Sequence, residues 1–317
     1  EGRVGDLDQL RWRAEGDWSQ YDASDVGIQG NNFTGVTAGG GGSLAWNFLQ
    51  KADLFLDFEM GLRGWYSSVD QALGSRGESG FITPSWQVNM FRQTRDSVLS
   101  ASLALDWTGA NGSTADLTTM GRINPSRQWW ILRGDGFYTG FLDNILDPNS
   151  GGSIHQLTLK GSFQWTLGQA RPTPVSQNIL GGFYTVRGYA QAASVGDNTV
   201  FGSIQYDFHL LRAMPPSAPG EMFGQPFRWT TEAGTGMPPS WDLSPHVFFD
   251  AGYTSVNGST PGELPDATLA SVGIGITAMV GVDFSVTLDW GIALSSDPGL
   301  GVETGDSQLW FVGSISF

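Results

Sequence analysis

The chain has 317 residues, with 31 acidic and 16 basic side chains and a formal net charge of −15. This balance argues against a nucleic-acid partner, because neutralising phosphates requires a basic surface. The absence of cysteine excludes a disulfide scaffold and thiolate metal sites. Charged residues are only 15% of the chain, whereas glycine (45), tryptophan (13) and phenylalanine (19) are abundant. The composition favours half-apolar strands with aromatic girdles over a soluble enzyme.

Segments of alternating apolar and polar residues follow one another along the whole chain. A period of two predicts β-strands, and no window holds the roughly 18 consecutive apolar residues of a transmembrane helix. Most of the segments exceed the usual length of soluble strands and fit a tilted crossing of a bilayer. We predict twelve strands, at 7–20, 33–48, 52–67, 80–92, 97–108, 128–139, 153–167, 197–210, 245–254, 267–280, 282–295 and 307–317.

Each predicted strand has one apolar face and one face with polar and small residues. The residues predicted to face lipid include Leu159, Phe163, Ile204, Phe208, Val286, Leu288 and Trp290. The charged residues predicted to face the interior include Arg63, Arg133, Lys160, Asp207, Asp283 and Asp289, together with the polar Thr166. Such charges could not occupy a dry core without partners, so the polar face is assigned to the interior.

These faces predict an all-β fold, a transmembrane antiparallel β-barrel of about twelve strands that forms one domain over residues 1–317. A bilayer offers no partner for an open sheet edge, so the sheet must close on itself or on another chain. We expect self-closure, with 7–20 pairing with 307–317. The last strand ends on Phe317, which resembles the terminal strand of bacterial outer-membrane barrels, where the aromatic end is an assembly signal.

If Phe317 lies at the periplasmic side, the direction of every other strand follows by alternation. The connections at 49–51, 93–96 and 280–282 are then short periplasmic turns, as expected for such barrels. The exception is 211–244, which becomes a long periplasmic connection. The three histidines, His246 among them, fall near predicted periplasmic strand ends, and we attribute them to the polarity of the membrane interface and not to a metal site.

The nonapeptide Gly-Gly-Phe-Tyr-Thr-Val-Arg-Gly-Tyr at 181–189 is the most function-specific stretch. A guanidinium in a buried loop needs an acidic partner, because an unpaired charge away from water is costly. The strand predicted at 245–254 offers Asp250. The candidate site residues are therefore Gly181, Gly182, Val186, Arg187, Gly188 and Tyr189 of the loop, and Phe248, Asp250 and Gly252 of the strand.

Four stretches resemble the C-terminal half of the two-partner-secretion transporters, which belong to the superfamily of the outer-membrane assembly barrels. They are Leu-Lys-Gly-Ser-Phe-Gln-Trp at 159–165, the stretch 177–189 that ends in Val-Arg-Gly-Tyr, Gly-Asp at 196–197 leading into Gln-Tyr-Asp-Phe at 205–208, and Phe-Phe-Asp-Ala-Gly at 248–252. The resemblance implies that 168–196 folds inward as a plug loop, with Arg187 meeting Asp250. Family members have sixteen strands and periplasmic POTRA domains. The alternative fold is therefore the C-terminal twelve strands of a sixteen-stranded barrel.

The resemblance implies conduction of a polypeptide across or into the outer membrane, gated by the Arg187 loop. The expected partners are outer-membrane lipid and a secreted polypeptide or a neighbouring envelope protein, with no nucleic acid. We expect no enzyme activity, no cofactor and no metal. The alternative function is a structural or porin-like outer-membrane barrel that keeps the fold without secretion.

Overall fold

The computed structural model describes residues 2–4, 7–23, 33–71, 75–147 and 153–316. Its strands in chain order are β1 Gly2–Val4, β2 Leu7–Ala23, β3 Phe33–Lys51, β4 Leu54–Gln71, β5 Arg76–Gln93, β6 Ser97–Ala110, β7 Gln128–Phe141, β8 His155–Leu167, β9 Asn178–Leu180, β10 Ser194–Gly196, β11 Asn198–Phe208, β12 Gly220–Met222, β13 Gln225–Phe227, β14 Trp241–Ser255, β15 Asp266–Val280, β16 Phe284–Ala293 and β17 Ser307–Ile315. The helices are α1 Thr114–Thr119, α2 Asp143–Leu146, α3 Leu210–Ala213 and a 3-10 turn at Pro174–Ser176.

Thirteen of these strands form one antiparallel sheet in the order β1 to β8, then β11, then β14 to β17. The two remaining pairs, β9 with β10 and β12 with β13, are small ribbons inside connections. All twelve predicted strands are present, and their bounds differ from the prediction by four residues at most. The prediction of an all-β antiparallel barrel fold is confirmed. None of the helices in the described residues is long and apolar enough to cross a membrane.

The register of the sheet keeps the apolar side chains on one face. Between β8 and β11, Leu159 pairs with Ile204 and Lys160 pairs with Ser203. A slip of one residue would exchange the two faces, so this register is strongly specified. On β16, Leu288 and Trp290 are 40% and 45% exposed on the outer face, whereas Asp289 between them is 1% exposed.

The strand prediction is wrong at one short connection. Val282, the first residue of the predicted strand 282–295, and Asp283, predicted to face the interior, lie in the turn between β15 and β16 and are exposed. Gly281 in this turn has a φ of +60°, a conformation that glycine adopts without strain. The alternation continues by chance through the turn, so it could not reveal where the chain reverses. Asp283 is therefore not an interior charge.

The two edges of the sheet are β1, which pairs with β2, and β17. Within the described ranges, no backbone ladder joins β17 to β1 or β2. The predicted pairing of 7–20 with 307–317 is therefore not supported. Phe317, the proposed assembly signal, lies outside the described residues.

The inner face of the sheet is apolar around α1. Leu117 of α1 and Met120 pack on strand residues, and Leu117 is fully buried. The strand residues in this cluster are Val69, Phe81, Trp129 and Ile131. The helix begins with a capping box, in which Ser113 and Asp116 satisfy each other's backbone N–H groups. The interior is thus not polar throughout, because a connection folds inward here and supplies its own apolar side chains.

Candidate functional site

The connection from β8 to β11, residues 168–196, folds back against the inner face of the sheet. Its base is the ribbon of β9 and β10. Gly181 and Gly182 follow β9 with φ values of +101° and +106°, where a side chain would be strained. They begin a turn in which the N–H of Thr185 donates to the carbonyl of Gly182 at 3.2 Å. The turn directs the next residues, 186–189, against the inner face of the sheet.

Arg187 forms a bidentate ion pair with Asp250 of β14. Its Nε donates to Asp250 Oδ2 and its Nη2 to Asp250 Oδ1, both at 2.9 Å. The backbone N–H of Arg187 also donates to Asp250 Oδ2, at 3.2 Å. Asp250 is fully buried and Arg187 is 7% exposed. The two parallel bonds are the geometry in which a guanidinium holds a carboxylate most firmly.

The same guanidinium contacts two further strands and an aromatic ring. Its Nη1 donates to Gln205 Oε1 of β11 at 2.8 Å and to Asp289 Oδ2 of β16 at 3.0 Å. The guanidinium carbon lies 3.4 Å from the ring centroid of Phe248, a cation–π contact. One loop side chain therefore joins β11, β14 and β16, and every strand contact is on the inner face.

Asp289 is shared between Arg187 and a histidine. His246 Nε2 lies 2.8 Å from Asp289 Oδ1, and both side chains are 1% exposed. The other ring nitrogen of His246 lies 3.7 Å from Asp207 Oδ1. The assignment of His246 to the polarity of the membrane interface is wrong. Its position on the inner face of β14, four residues before Asp250, buries it in the Arg187 network instead.

The tip of the loop is held by close backbone approach. A Cβ added at Gly188 would lie 2.6 Å from Ser271 Cβ and 2.9 Å from the carbonyl carbon of Ile292. Trp310 Nε1 of β17 donates to the carbonyl of Arg187 at 2.7 Å. The hydroxyl of Tyr189 donates to the carbonyl of Ser295 at 2.7 Å. The fit leaves no room for a side chain at position 188.

Apolar contacts surround this polar network. Val186 is fully buried, Leu180 and Tyr189 are 1% exposed, and they pack with Phe201 and Leu269. A Cβ at Gly252 on β14 would lie 2.6 Å from Leu180 Cδ1, so the small residue makes space for the loop. Burying these side chains adds a hydrophobic contribution to the seating of the loop.

A second buried ion pair joins the connections at the α1 end of the strands. Arg122, which follows α1, donates from Nη1 to Asp197 Oδ1 at 2.8 Å. Asp197 lies directly after β10, is fully buried, and also accepts the backbone N–H of Asn257 at 2.8 Å. Three connections, after β6, β8 and β14, therefore meet at one carboxylate. We call Arg122 and Asp197, with Arg171 and Glu263 described next, the loop clamp.

Arg171 extends the loop clamp to the connection after β14. Its Nη2 donates to both carboxylate oxygens of Glu263, at 2.9 and 3.0 Å. Burial alone would raise the pKa of Glu263, but hydrogen bonds from Thr260 and Arg171 outweigh it and hold the pKa below its usual range. The stability that ionised Glu263 adds to the folded protein is therefore fully present above the pKa that this carboxyl has in the unfolded chain. It is lost as the pH falls through the lower pKa that the carboxyl has in the folded protein.

Replacing Arg122 with alanine is expected to destabilise the loop clamp by about 3–5 kcal/mol, because Asp197 would be left buried without its partner. The measurement is the midpoint of denaturant unfolding in detergent. Arg76→Ala is the matched control, since Arg76 pairs with Glu78 at 3.5 Å and its side chain is 59% exposed. Such an exposed pair contributes at most about 1 kcal/mol. Equal shifts for the two variants would contradict the assignment.

Two of the predicted interior charges, Arg63 and Arg133, line a polar cavity beside the loop. Arg63 bonds Asp17 at 2.6 Å and Arg133 pairs with Asp106, both on the inner face. Lys160 lies on the same face and is exposed. The cavity has a volume of about 530 Å³ and reaches the loop at residues 175–178. In the described part of the chain, no group of three or more His, Asp or Glu residues is placed to hold a metal ion.

Sequence reasoning missed all four residues of the loop clamp and three partners in the Arg187 network, Gln205, His246 and Asp289. Asp289 was assigned to the interior but not as a partner of Arg187, and His246 was assigned to the interface. Arg122 had no signal at all, because it lies in a connection without periodicity. For Asp289 and His246 a signal existed: inward positions on the strands flanking β15 place them near Asp250.

The fold and the loop within it define a class: a β-barrel of the outer-membrane type whose interior holds one of its own connections. The structure is similar to that of CdiB from Escherichia coli, with a TM-score of 0.69 and 14% identity over 98% of this chain and 51% of that one. It is also similar to CdiB from Acinetobacter baumannii, with a TM-score of 0.62 and 13% identity over 96% of this chain and 47% of that one.

The chain therefore spans about half the length of these solved structures. No protein-family model and no curated protein matches the sequence. The resemblance to the two-partner-secretion transporters is confirmed at the level of the fold. The fold is that of outer-membrane β-barrels of the CdiB kind.

Proposed function

We propose that the protein conducts a polypeptide across or into the outer membrane, and that the loop 168–196 is its gate. No chemistry on a substrate is part of this proposal. Arg187 is the latch: it holds the loop against the inner wall until an arriving chain competes for the space. The plug-loop roles of Gly181, Gly182, Val186, Gly188 and Tyr189, and the anchoring roles of Phe248, Asp250 and Gly252, belong to the same proposal.

The observation that carries the proposal is the buried network of Arg187. A loop that only connected two strands would have no reason to bury a guanidinium against two carboxylates and an amide on three strands. Buried charges are costly unless they are paired. The network therefore favours the seated position of the loop over any position in which Arg187 leaves Asp250 and Asp289 without their partner. Because these bonds are few and localised, a competing ligand can shift the equilibrium between the seated and released loop.

The test is a substitution at the tip. Gly188→Ala adds one carbon that would lie 2.6–3.0 Å from Ser271 and the backbone of 292–293, so the loop should seat poorly. We expect a higher ion current through the purified protein in a planar bilayer. We also expect brief blockades of this current when an unfolded polypeptide is added. Gly202→Ala is the matched control, because nothing lies within 4 Å of a Cβ at that position.

A structural or porin-like role is the second candidate, and the polar cavity of about 530 Å³ beside the loop favours it. The two functions differ in the response to a polypeptide. A porin-like barrel would pass ions and small solutes in the Gly188→Ala variant without blockades by an unfolded chain. If Gly188→Ala and Gly202→Ala have the same current, the gating proposal fails under both functions.

A further inference from the structure

The connection from β11 to β14 carries an exposed aromatic hairpin. It contains α3 and the ribbon of β12 and β13, in which Met222 pairs with Gln225. The two-residue loop between them is Phe223 and Gly224. Phe223 is 93% exposed, so its ring makes almost no contact with the rest of the chain. A large apolar side chain at such a tip has no role in the packing of the protein.

The backbone conformation at this tip is unfavourable for phenylalanine. Phe223 has a φ of +52° and Gly224 a φ of +75°. Positive φ at both positions is the type I′ turn, for which Asn-Gly is the preferred sequence. A bulky side chain at positive φ is strained. Phe223 therefore opposes local folding without any compensating contact in the chain, which points to a contact outside it.

The ribbon joins the outer face of the sheet. Trp229, just after β13, packs edge-on against Trp241 at a ring-centroid distance of 6.1 Å. Trp241 Nε1 also donates to the carbonyl of Trp229 at 3.1 Å. Trp241 is the first residue of β14, on the face where Val247 and Phe249 follow, 52% and 44% exposed. The hairpin thus lies next to the end of β14 at which the row of outward apolar side chains starts.

The charge of this connection suits an uncharged surface. Residues 211–240 contain two basic and two acidic side chains, Arg212, Glu221, Arg228 and Glu232. Phe227 packs on Trp229 at 4.8 Å, which continues the aromatic row from Trp241. Aromatic side chains at the ends of membrane strands concentrate at the level of the lipid headgroups.

We propose that the hairpin of β12 and β13 is a membrane anchor, which inserts Phe223 into the phospholipid leaflet at the end of the barrel where β14 begins. The occupant is a phospholipid surface, selected by apolar contact and not by charge. The inference rests on the proposed placement of the barrel in a membrane. It adds a lipid contact outside the spanning strands, on the connection predicted to be periplasmic.

The test uses the absence of native cysteine. A single cysteine at Gln225→Cys, an exposed position next to the tip, carries an environment-sensitive fluorophore. The labelled protein is reconstituted into phosphatidylethanolamine and phosphatidylglycerol vesicles, with and without lipids that bear a shallow spin-label quencher. We expect quenching of the probe, comparable to that of a probe at Ile204→Cys on the outer face of β11.

The matched variant is Phe223→Asn in the same labelled background. It replaces the strained residue by the one that the turn prefers, so folding should be unaffected while the anchor is lost. We expect the quenching at position 225 to fall strongly. Equal quenching with and without Phe223 would overturn the inference. If the probe at Ile204→Cys is not quenched either, the membrane placement itself fails, which separates the two proposals.

Discussion

Replacing Arg187 with alanine is expected to raise the ratio of released to seated loop about a hundredfold or more. The reason is that Asp250, fully buried, and Asp289, 1% exposed, would lose the cation between them. Removing one partner of a buried ion pair costs about 3–5 kcal/mol, and each 1.4 kcal/mol is about a tenfold change. The measurement is the fraction of time that single molecules conduct in a planar bilayer.

Two further variants separate the loss of contacts from the burial of unpaired charge. Arg187→Lys keeps the charge but loses the bidentate geometry, so we expect an intermediate effect. Arg187→Ala combined with Asp250→Ala should cost less than the sum of the single changes, because no carboxylate at 250 is left unpaired. Lys160→Ala, an exposed interior position, is the control. A latch role for Arg187 is untenable if its removal and that of Lys160 have equal effects.

The fold was predictable because the membrane imposes a simple rule on each strand. Side chains alternate between lipid and interior along a strand. In β16 the sequence alone therefore places Phe284 and Leu288 on one face and Asp289 on the other, without any knowledge of the neighbouring strands. The same rule failed at Val282 and Asp283, where the turn happens to continue the alternation. Periodicity reports the face of a residue but not the point at which a chain reverses.

The site was predictable only where one residue type demanded another. Arg187 needed a carboxylate, and the motif Phe-Phe-Asp-Ala-Gly at 248–252 offered Asp250, although Asp207 and Asp289 were also predicted to face inward. The additional partners depend on three-dimensional adjacency, since β14 and β16 are both neighbours of β15. The loop clamp shows the limit: Arg122 and Asp197 are 75 residues apart and lie in connections whose paths the alternation does not describe.

A disulfide between the loop and the wall is expected to abolish the current that Arg187→Ala creates. Ser194 of β10 and Thr254 of β14 have their side-chain oxygens 2.5 Å apart, so cysteines at both positions are close enough to bond. β10 pairs with β9, so the bond fastens the ribbon from which residues 181–189 project. The triple variant combines Arg187→Ala with Ser194→Cys and Thr254→Cys. It should conduct like the wild type when oxidised and like Arg187→Ala after reduction.

The two single cysteine variants are the controls, since neither can form the bond and the chain holds no other cysteine. In the Arg187→Ala background, the current of each single cysteine variant should change with reductant no more than the current of Arg187→Ala alone. Full current in the oxidised triple variant would mean that the loop tip leaves the wall while its base remains in place. That result would confine the gate to residues 181–189. Loss of current that reductant reverses would instead mean that the ribbon and tip move together, because the only added constraint is at the base of the loop.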